Sequence, residues 1–401
     1  MSALDAPATH STTSKYKAAR VGSTAPTIFA EMSALAVATD SVNLGQGFPD
    51  SDGPAFMLEE AERAIAAGVN QYPPARGIAA LRNAIVEHSH RRYGLAYDAE
   101  TEVTVTAGAT EALAATFLAF VDPGDEVIAL EPFYDSYSAS VEMAGGHIVG
   151  VGVFGPDFAL DLDELRAAIG PRTKMILVNS PHNPTGAVLD RTELAVIAEL
   201  AIEHDLLVVC DEVYEHLLFD DMQHLPIASL PGMRERTVRI SSAGKTFSAT
   251  GWKIGWALGP AQLITEIVAV KQFLTFASGA PFQPAVARAL TEGDSWVAAA
   301  QLELQAKRDR FAAGLRSVGL TPVVPKGTYF MTTDVRPLGY ADGLEFCRDI
   351  PHRCGVVAIP HQVFYARADA GRPYVRWAFC KSDAVLDEAI RRLTSLNPAG
   401  I

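Results

Sequence analysis

Apolar positions along this chain fall into two alternating patterns between about residues 103 and 260. Short β-branched runs, "EVTVTA" (102–107), "EVIAL" (126–130), "KMILVN" (174–179), "LLVVCDE" (206–212) and "TVRI" (237–240), are apolar nearly throughout. Between them lie segments with helical spacing, among them "TEALAATFLAFV" after the first run and "TELAVIAELAIEH" (192–204) before the fourth. Strands that are apolar on both faces and separated by helices predict a mostly parallel sheet sandwiched by helices, an α/β domain. Towards the C-terminus the order changes. The long helical stretch "SWVAAAQLELQAKRDRFAAGLRSV" leads to the strand-like "GTYFMTTDV" and a last helix "DAVLDEAIRRLTSL" (383–396), which reads as a smaller α+β unit.

Length and composition agree with this division and narrow the function. A chain of 401 residues is long for one core, so a large and a small domain are expected. Residues 1–24 are small and polar, without the apolar stretch of a secretory signal, and read as a mobile tail. No uncharged apolar run reaches about 18 residues, so no membrane span is expected. A formal net charge of −14 argues against a nucleic-acid partner, which requires a basic face. Cys210, Cys347, Cys354 and Cys380 are far apart and lack CxxC spacing, which argues against zinc and disulfides and for reduced thiols in the cytoplasm.

The segment "SSAGKTFSATGWKIGW" (241–256) puts Lys245 just past the fifth apolar run. Its "GKT" matches the end of a nucleotide phosphate loop, but that motif needs a glycine five residues before Gly244, where Arg239 stands. Two readings remain: a lysine whose stem packs while its ammonium reaches water, or an amine held in a dry pocket as a nucleophile or imine former.

In an open α/β sheet, ligands bind beyond the carboxyl ends of the strands, so the residues that follow each run sample one pocket. After "VTVT", Gly108 allows a tight turn and Thr110 begins a helix whose free N–H groups suit a phosphate; a glycine turn with a threonine cap explains the same stretch. After "KMILVN", Asn183 lies in the proline-stiffened "SPHNPTGAV", either as a ligand or as a simple turn former. Asp211 ends an apolar strand, where a carboxylate needs a cationic or hydrogen-bonding partner, and Tyr214 lies three residues on. Ser242, Lys245 and Lys253 follow the fifth run. Together these groups fit pyridoxal phosphate, with Lys245 forming an imine to the aldehyde and Asp211 keeping the pyridine nitrogen protonated.

With those residues in place, the chain resembles the fold-type-I pyridoxal phosphate aminotransferases of class I and II, in the kynurenine and glutamine transaminase branch. The resemblance runs from about residue 25 to the C-terminus, through "NLGQGFPD", "QYPPARGIAALR", "EPFYDSYSASVEMAGG", "NSPHNPTGAV", "DEVYEHL", "GAPFQPAVA" and "VRWAFCKSD" in order. It implies that Lys245 is the Schiff-base lysine, Asp211 the pyridinium partner, and Asn183 with Tyr214 the pair on the ring 3-oxygen. Gly108, Ala109, Thr110, Ser242 and Lys253 would hold the phosphate, joined by Tyr72 of a neighbouring subunit, and Tyr134 would stack on the ring. Arg376 would pair with the substrate α-carboxylate, with Gly47 and Phe48 beside it. The resemblance also implies a homodimer with shared active sites; no metal is expected. It further implies a segment 25–52 that packs with the small domain, a large domain 53–290 and a small domain 291–401.

The implied reaction moves an α-amino group between an amino acid and a 2-oxo acid by a ping-pong route. A dicarboxylate substrate would need a second cation, and Arg20 and Arg76 are weak candidates. Phe48, Phe133, Phe273 and Phe276 point instead to an aromatic, kynurenine, glutamine or methionine side chain. The alternatives are N-succinyl-diaminopimelate in lysine synthesis and β-elimination from a cysteine conjugate.

Overall fold

The computed structural model describes residues 16–18, 20–21, 27–155 and 158–396, so most of the tail expected at 1–24 lies outside the described residues. An eight-stranded sheet forms the centre of the larger unit. Its spatial order is Val103–Ala107, Ile254–Leu258, Thr237–Ser242, Leu207–Asp211, Thr173–Asn179, Glu126–Glu131, His147–Phe154 and Ala159–Leu160. The run from Thr237–Ser242 to His147–Phe154 is parallel, while Ile254–Leu258 is antiparallel to both neighbours and Ala159–Leu160 to its one neighbour.

The continuous apolar runs have the two-sided burial they predict. Ile128, Leu130, Ile176, Val178, Val208 and Cys210 join Leu194 and Ile197 of the helix Arg191–Glu203 on one face. Val127, Ala129, Met175, Leu177 and Val209 meet Leu113 and Phe117 of the helix Gly108–Phe120 on the other. Arg191–Glu203 starts where the sequence allows, because Asp190 and Glu193 cap each other's backbone N–H groups in a capping box. Three strands escape the apolar-run reading, the two-residue Ala159–Leu160 because it is too short to form a run. His147–Phe154 is broken by Gly150 and Gly152, and a side chain at Gly150 would meet Glu131 at 3.0 Å. Ile254–Leu258 follows the lysine-rich turn directly and runs against the parallel order.

The C-terminal unit is built on an antiparallel sheet in the order Thr321–Val323, Phe330–Asp334, Tyr374–Ala378 and Ile359–Pro360. Residues near the N-terminus join it: Val42–Asn43 pairs in parallel with Val356–Val357, and Met32 and Ala36 of the helix Ile28–Ala38 share its core. The 24-residue helix Asp294–Ser317 begins with Val297 against the larger unit and ends with Phe311 and Leu315 in this one.

Beneath the sheet lies a buried polar cluster. Arg239 pairs with Glu212 at 2.6 Å and with Glu215 at 3.6 Å, and His88 meets His216 edge-on with ring centres 4.9 Å apart. Burial, and then His216, push His88 down from 6.5 to about 3. The unfolded chain therefore binds the extra proton between these values, and stability that is complete above pH 6.5 falls as the pH drops toward 3. At pH 5 this one group costs about 2 kcal/mol. His88→Phe keeps a ring and removes the titration. The difference in urea-unfolding free energy between about pH 7.5 and about pH 5 should shrink by about 2 kcal/mol in this variant.

Candidate active site

Three parallel strands end side by side on Asn179, Asp211 and Ser242, with Asn179 directly opposite Asp211 in the ladder. Beyond these ends opens a cavity of about 500 Å³. The helix Gly108–Phe120 points its N-terminus into it with no side-chain cap, leaving first-turn N–H groups available. Gly108 has φ +74°, and a side chain there would touch the Lys253 ammonium at 3.2 Å. A side chain on Gly255 would lie 2.5 Å from the Gly108 carbonyl carbon and 2.7 Å from the Ala109 nitrogen, so the Ile254–Leu258 strand runs flush against that helix turn. Backbone N–H groups, Lys253 and Ser242 thus converge at one end of the cavity, as anion binding requires.

At its centre Asp211 is buried, and its carboxylate accepts from the Tyr137 hydroxyl at 2.6 Å and from the Val213 N–H at 3.2 Å. Burial pushes its carboxyl up, against the opposing hydrogen bonds and the Lys245 charge. Asn179 donates to the Asp211 carbonyl at 2.9 Å and accepts from the Asn183 N–H at 2.9 Å, which fixes the loop to the strand end. Lys245 donates from Nζ to the Tyr329 hydroxyl at 2.8 Å, and burial lowers it from 10.5 to about 8. Arg376 comes from the smaller sheet and is 2% exposed. Its Nη1 donates to Asn183 Oδ1 and its Nη2 to the Gly45 carbonyl, each at 3.0 Å, while Nε has no partner. The Phe330 ring lies 3.9 Å from the guanidinium carbon, and burial lowers the group to about 10.

A convergent amine, a buried carboxylate, an anion cradle and a buried guanidinium are what imine chemistry on an amino acid requires. The aminotransferase class I and II family model matches residues 39–393. The chain belongs to the class I and II aminotransferases. It is therefore a pyridoxal phosphate-dependent transaminase of fold type I. It is 57% identical over 382 residues to a probable N-succinyldiaminopimelate aminotransferase of Mycobacterium tuberculosis, covering 93% of this chain and 96% of that protein. With the Escherichia coli methionine aminotransferase the identity is 40% over 371 residues, covering 92% of this chain and 96% of that one. The solved structure of the N-succinyldiaminopimelate aminotransferase from M. tuberculosis superimposes with a TM-score of 0.93 at 57% identity, covering 95% of this chain and 100% of that one.

Against this transaminase frame, the cavity lining includes Lys245, Asp211, Tyr214, Asn183 and Arg376. Gly47, Gly108, Ala109, Thr110, Tyr134, Ser242 and Lys253 also border it. Two expected residues do not. Tyr72 is 82% exposed and lies edge-on to Phe276 at 5.6 Å, outside its own chain's cavity. The Phe48 ring instead covers the Lys381 ammonium at 4.3 Å. Arg76 donates to the Thr101 carbonyl and the Thr265 hydroxyl and, like exposed Arg20, does not line the cavity. Sequence reasoning missed Tyr137, Asn179, Tyr329 and Phe330. Tyr137 stands three residues after Tyr134 in "EPFYDSY", the spacing that stacks side chains on a helical turn, and Asn179 is the last residue of its apolar run.

Gly255→Ala tests the contact that shapes the cradle. Its added methyl meets backbone rather than a movable side chain. Thermal unfolding should show a loss of about 1–3 kcal/mol, the usual cost of overpacking. Unchanged stability would mean that the strand and helix turn are not held in contact.

Proposed function

We propose that this transaminase acts on N-succinyl-diaminopimelate and a 2-oxo acid, as a homodimer in the cytoplasm, with the site roles and the division at 25–52, 53–290 and 291–401 that the family resemblance implies. The observation that carries the substrate reading is the 57% identity to a probable N-succinyldiaminopimelate aminotransferase along 93% of this chain. Site chemistry supports it by elimination. Among the described residues lining the cavity the cations are Lys245, Lys253 and Arg376. With Lys245 and Lys253 given to the cofactor and Arg376 to the α-carboxylate, a short dicarboxylate such as aspartate finds no cation for its second acid. A long side chain would extend along Thr27 and Phe29, of which Thr27 is exposed, so that a distal carboxylate would stay hydrated.

Pyridoxal phosphate, when bound, supplies an aldehyde and an electron-withdrawing ring. The residues fit it: first-turn N–H groups, Ser242 and Lys253 suit its phosphate, and Asp211 suits a protonated pyridine nitrogen. Asn183 and Tyr214 would hold the 3-oxygen, and Tyr134 would cover the ring. Arg376 orients the amino acid: its Nε–H is unpartnered and each Nη retains a second hydrogen, so its planar edge can take a carboxylate in two bonds. Lys245 anchors the cofactor and, once displaced, carries the α-proton. An amine at about 8 has a substantial neutral fraction near neutrality, as a general base needs.

Exposed Tyr72, Phe273, Leu274 and Phe276 form the apolar surface on which we place the second subunit, with Tyr72 reaching its phosphate site. A second reading, methionine or kynurenine as donor, has support in the aromatic lining of Phe29, Tyr134 and Phe330. The deciding experiment presents the loaded enzyme singly with N-succinyl-diaminopimelate, methionine, kynurenine, glutamine and aspartate, and follows the cofactor absorbance. N-succinyl-diaminopimelate should give a kcat/KM at least about tenfold above the rest, or about 1.4 kcal/mol. Methionine or kynurenine in first place would establish the second reading, and pyruvate released from a cysteine conjugate without an acceptor would establish the lyase.

A further inference from the structure

Tyr329 has no place in the roles assigned so far, yet its hydroxyl makes the closest polar contact of Lys245. The Tyr329 hydroxyl donates its single hydrogen to the Gly47 carbonyl at 2.6 Å, and Lys245 Nζ lies 2.8 Å from the same oxygen. With its hydrogen spent, that oxygen has only a lone pair to offer, so the lysine is the donor. The ring is 1% exposed and is fixed edge-on against Tyr214 at 5.3 Å and Phe330 at 4.8 Å, so the hydroxyl cannot swing away. Burial pushes the phenol well above its ordinary range, which keeps it a neutral acceptor of a hydrogen bond and not of the proton itself.

The direction of this contact is informative. Lys245 borders the cofactor cavity and also a second cavity of about 220 Å³, bounded by Pro49, Leu217, Trp296 and Cys380. Tyr329 borders the second cavity and not the first. The contact therefore holds the ammonium where the two cavities adjoin.

We propose that Tyr329 is a positioning residue that docks Lys245 after its displacement from the cofactor, holding the amine by a fixed lone pair at the boundary between the two cavities. The inference rests on reading Lys245 as the cofactor-linked lysine. The docked amine is faced by Asp211, Cys380, Arg376, Lys253, Tyr214 and Tyr329; burial dominates its lowering to about 8, Cys380 and Asp211 oppose it, and Arg376 and Lys253 add to it. An accepting lone pair stabilises the charged ammonium, so removing it lowers the lysine further.

The test uses the full-length protein loaded with pyridoxamine phosphate, in which Lys245 is unattached. Lysine acylation is followed across pH by peptide mass spectrometry in the parent and in Tyr329→Phe. The parent midpoint is expected near 8. The variant should titrate lower by about one pH unit, the size of a hydrogen bond to a charged group. Acylation near pH 7 should then be about fivefold faster, and the acid limb of the turnover profile should move to lower pH. An unchanged midpoint in a variant with native circular dichroism overturns the proposal and leaves Tyr329 a packing residue.

If Tyr329→Phe does not fold, a fluorine-labelled tyrosine at position 329 reports instead. Its resonance should move with the Lys245 midpoint, and a flat resonance overturns the proposal equally. Borohydride reduction of the pyridoxal phosphate form separately identifies the attached lysine, so a failure of that assignment is distinguishable from a failure of the docking role.

Discussion

Asp211 ends its strand 5% exposed, with both carboxylate oxygens accepting from neutral donors and no ion pair to a cation among the described residues. A desolvated carboxylate in that condition is costly, and its upward shift records the cost. Neither Tyr137 nor the Val213 N–H brings a charge. The arrangement makes physical sense when a cation enters from the cavity, and a protonated pyridine nitrogen is such a cation. Much of the surrounding geometry serves to keep this carboxylate fixed. Asn179 holds its backbone and the Asn183 loop together, and Tyr137 is drawn from the helix Asp135–Ala144 on another side of the cavity.

The second constraint is that the site needs two structural units at once. Lys245, Asp211 and the helix N-terminus come from the larger unit, while Arg376, Phe330 and the adjoining Tyr329 come from the antiparallel unit. The early segment supplies carbonyls at Gly45 and Gly47 that hold Arg376 and Tyr329. A side chain at Gly47 would fall 2.5 Å from the Phe330 ring, so the segment passes where only glycine fits. Tyr214, Tyr329 and Phe330 fill the join with edge-on aromatic contacts, which carry shape as well as apolar burial. In the proposed reading, the substrate carboxylate and the cofactor ring would be set by different units, and their relative position would depend on this aromatic join.

Residues at the ends of apolar runs were legible because the parallel-strand pattern and the strand-end rule locate them with no distance needed. Asp211, Ser242 and Lys245 are of this kind. Gly108 and Arg376 are legible in a weaker sense, since a glycine turn and a surface arginine explain them equally until the family segments are considered together. Tyr137 and Tyr329 were not legible, because their contacts with Asp211 and Lys245 join residues 74 and 84 positions apart in the chain; Asn179 carried the strand-end signal as the last residue of its run, but its bond to the Asp211 carbonyl, 32 residues away, shows only in the fold. Tyr72 and Phe48 show the reverse limit. Their family segments are present, but one chain alone leaves the first exposed and turns the second onto Lys381.

The central claim, that the charge of Asp211 is built to be met by a cation from the cofactor, is tested most directly by thermal unfolding of the parent and Asp211→Asn with and without pyridoxal phosphate. An asparagine keeps the shape, and the Tyr137 hydroxyl can turn to accept from its amide. Without cofactor the variant should unfold at a higher temperature than the parent, because a desolvated charge is gone. With cofactor the order should reverse, the parent gaining more from the ligand than the variant does. Equal cofactor-induced shifts in both proteins, or a cofactor-free variant less stable than its parent, would contradict the account.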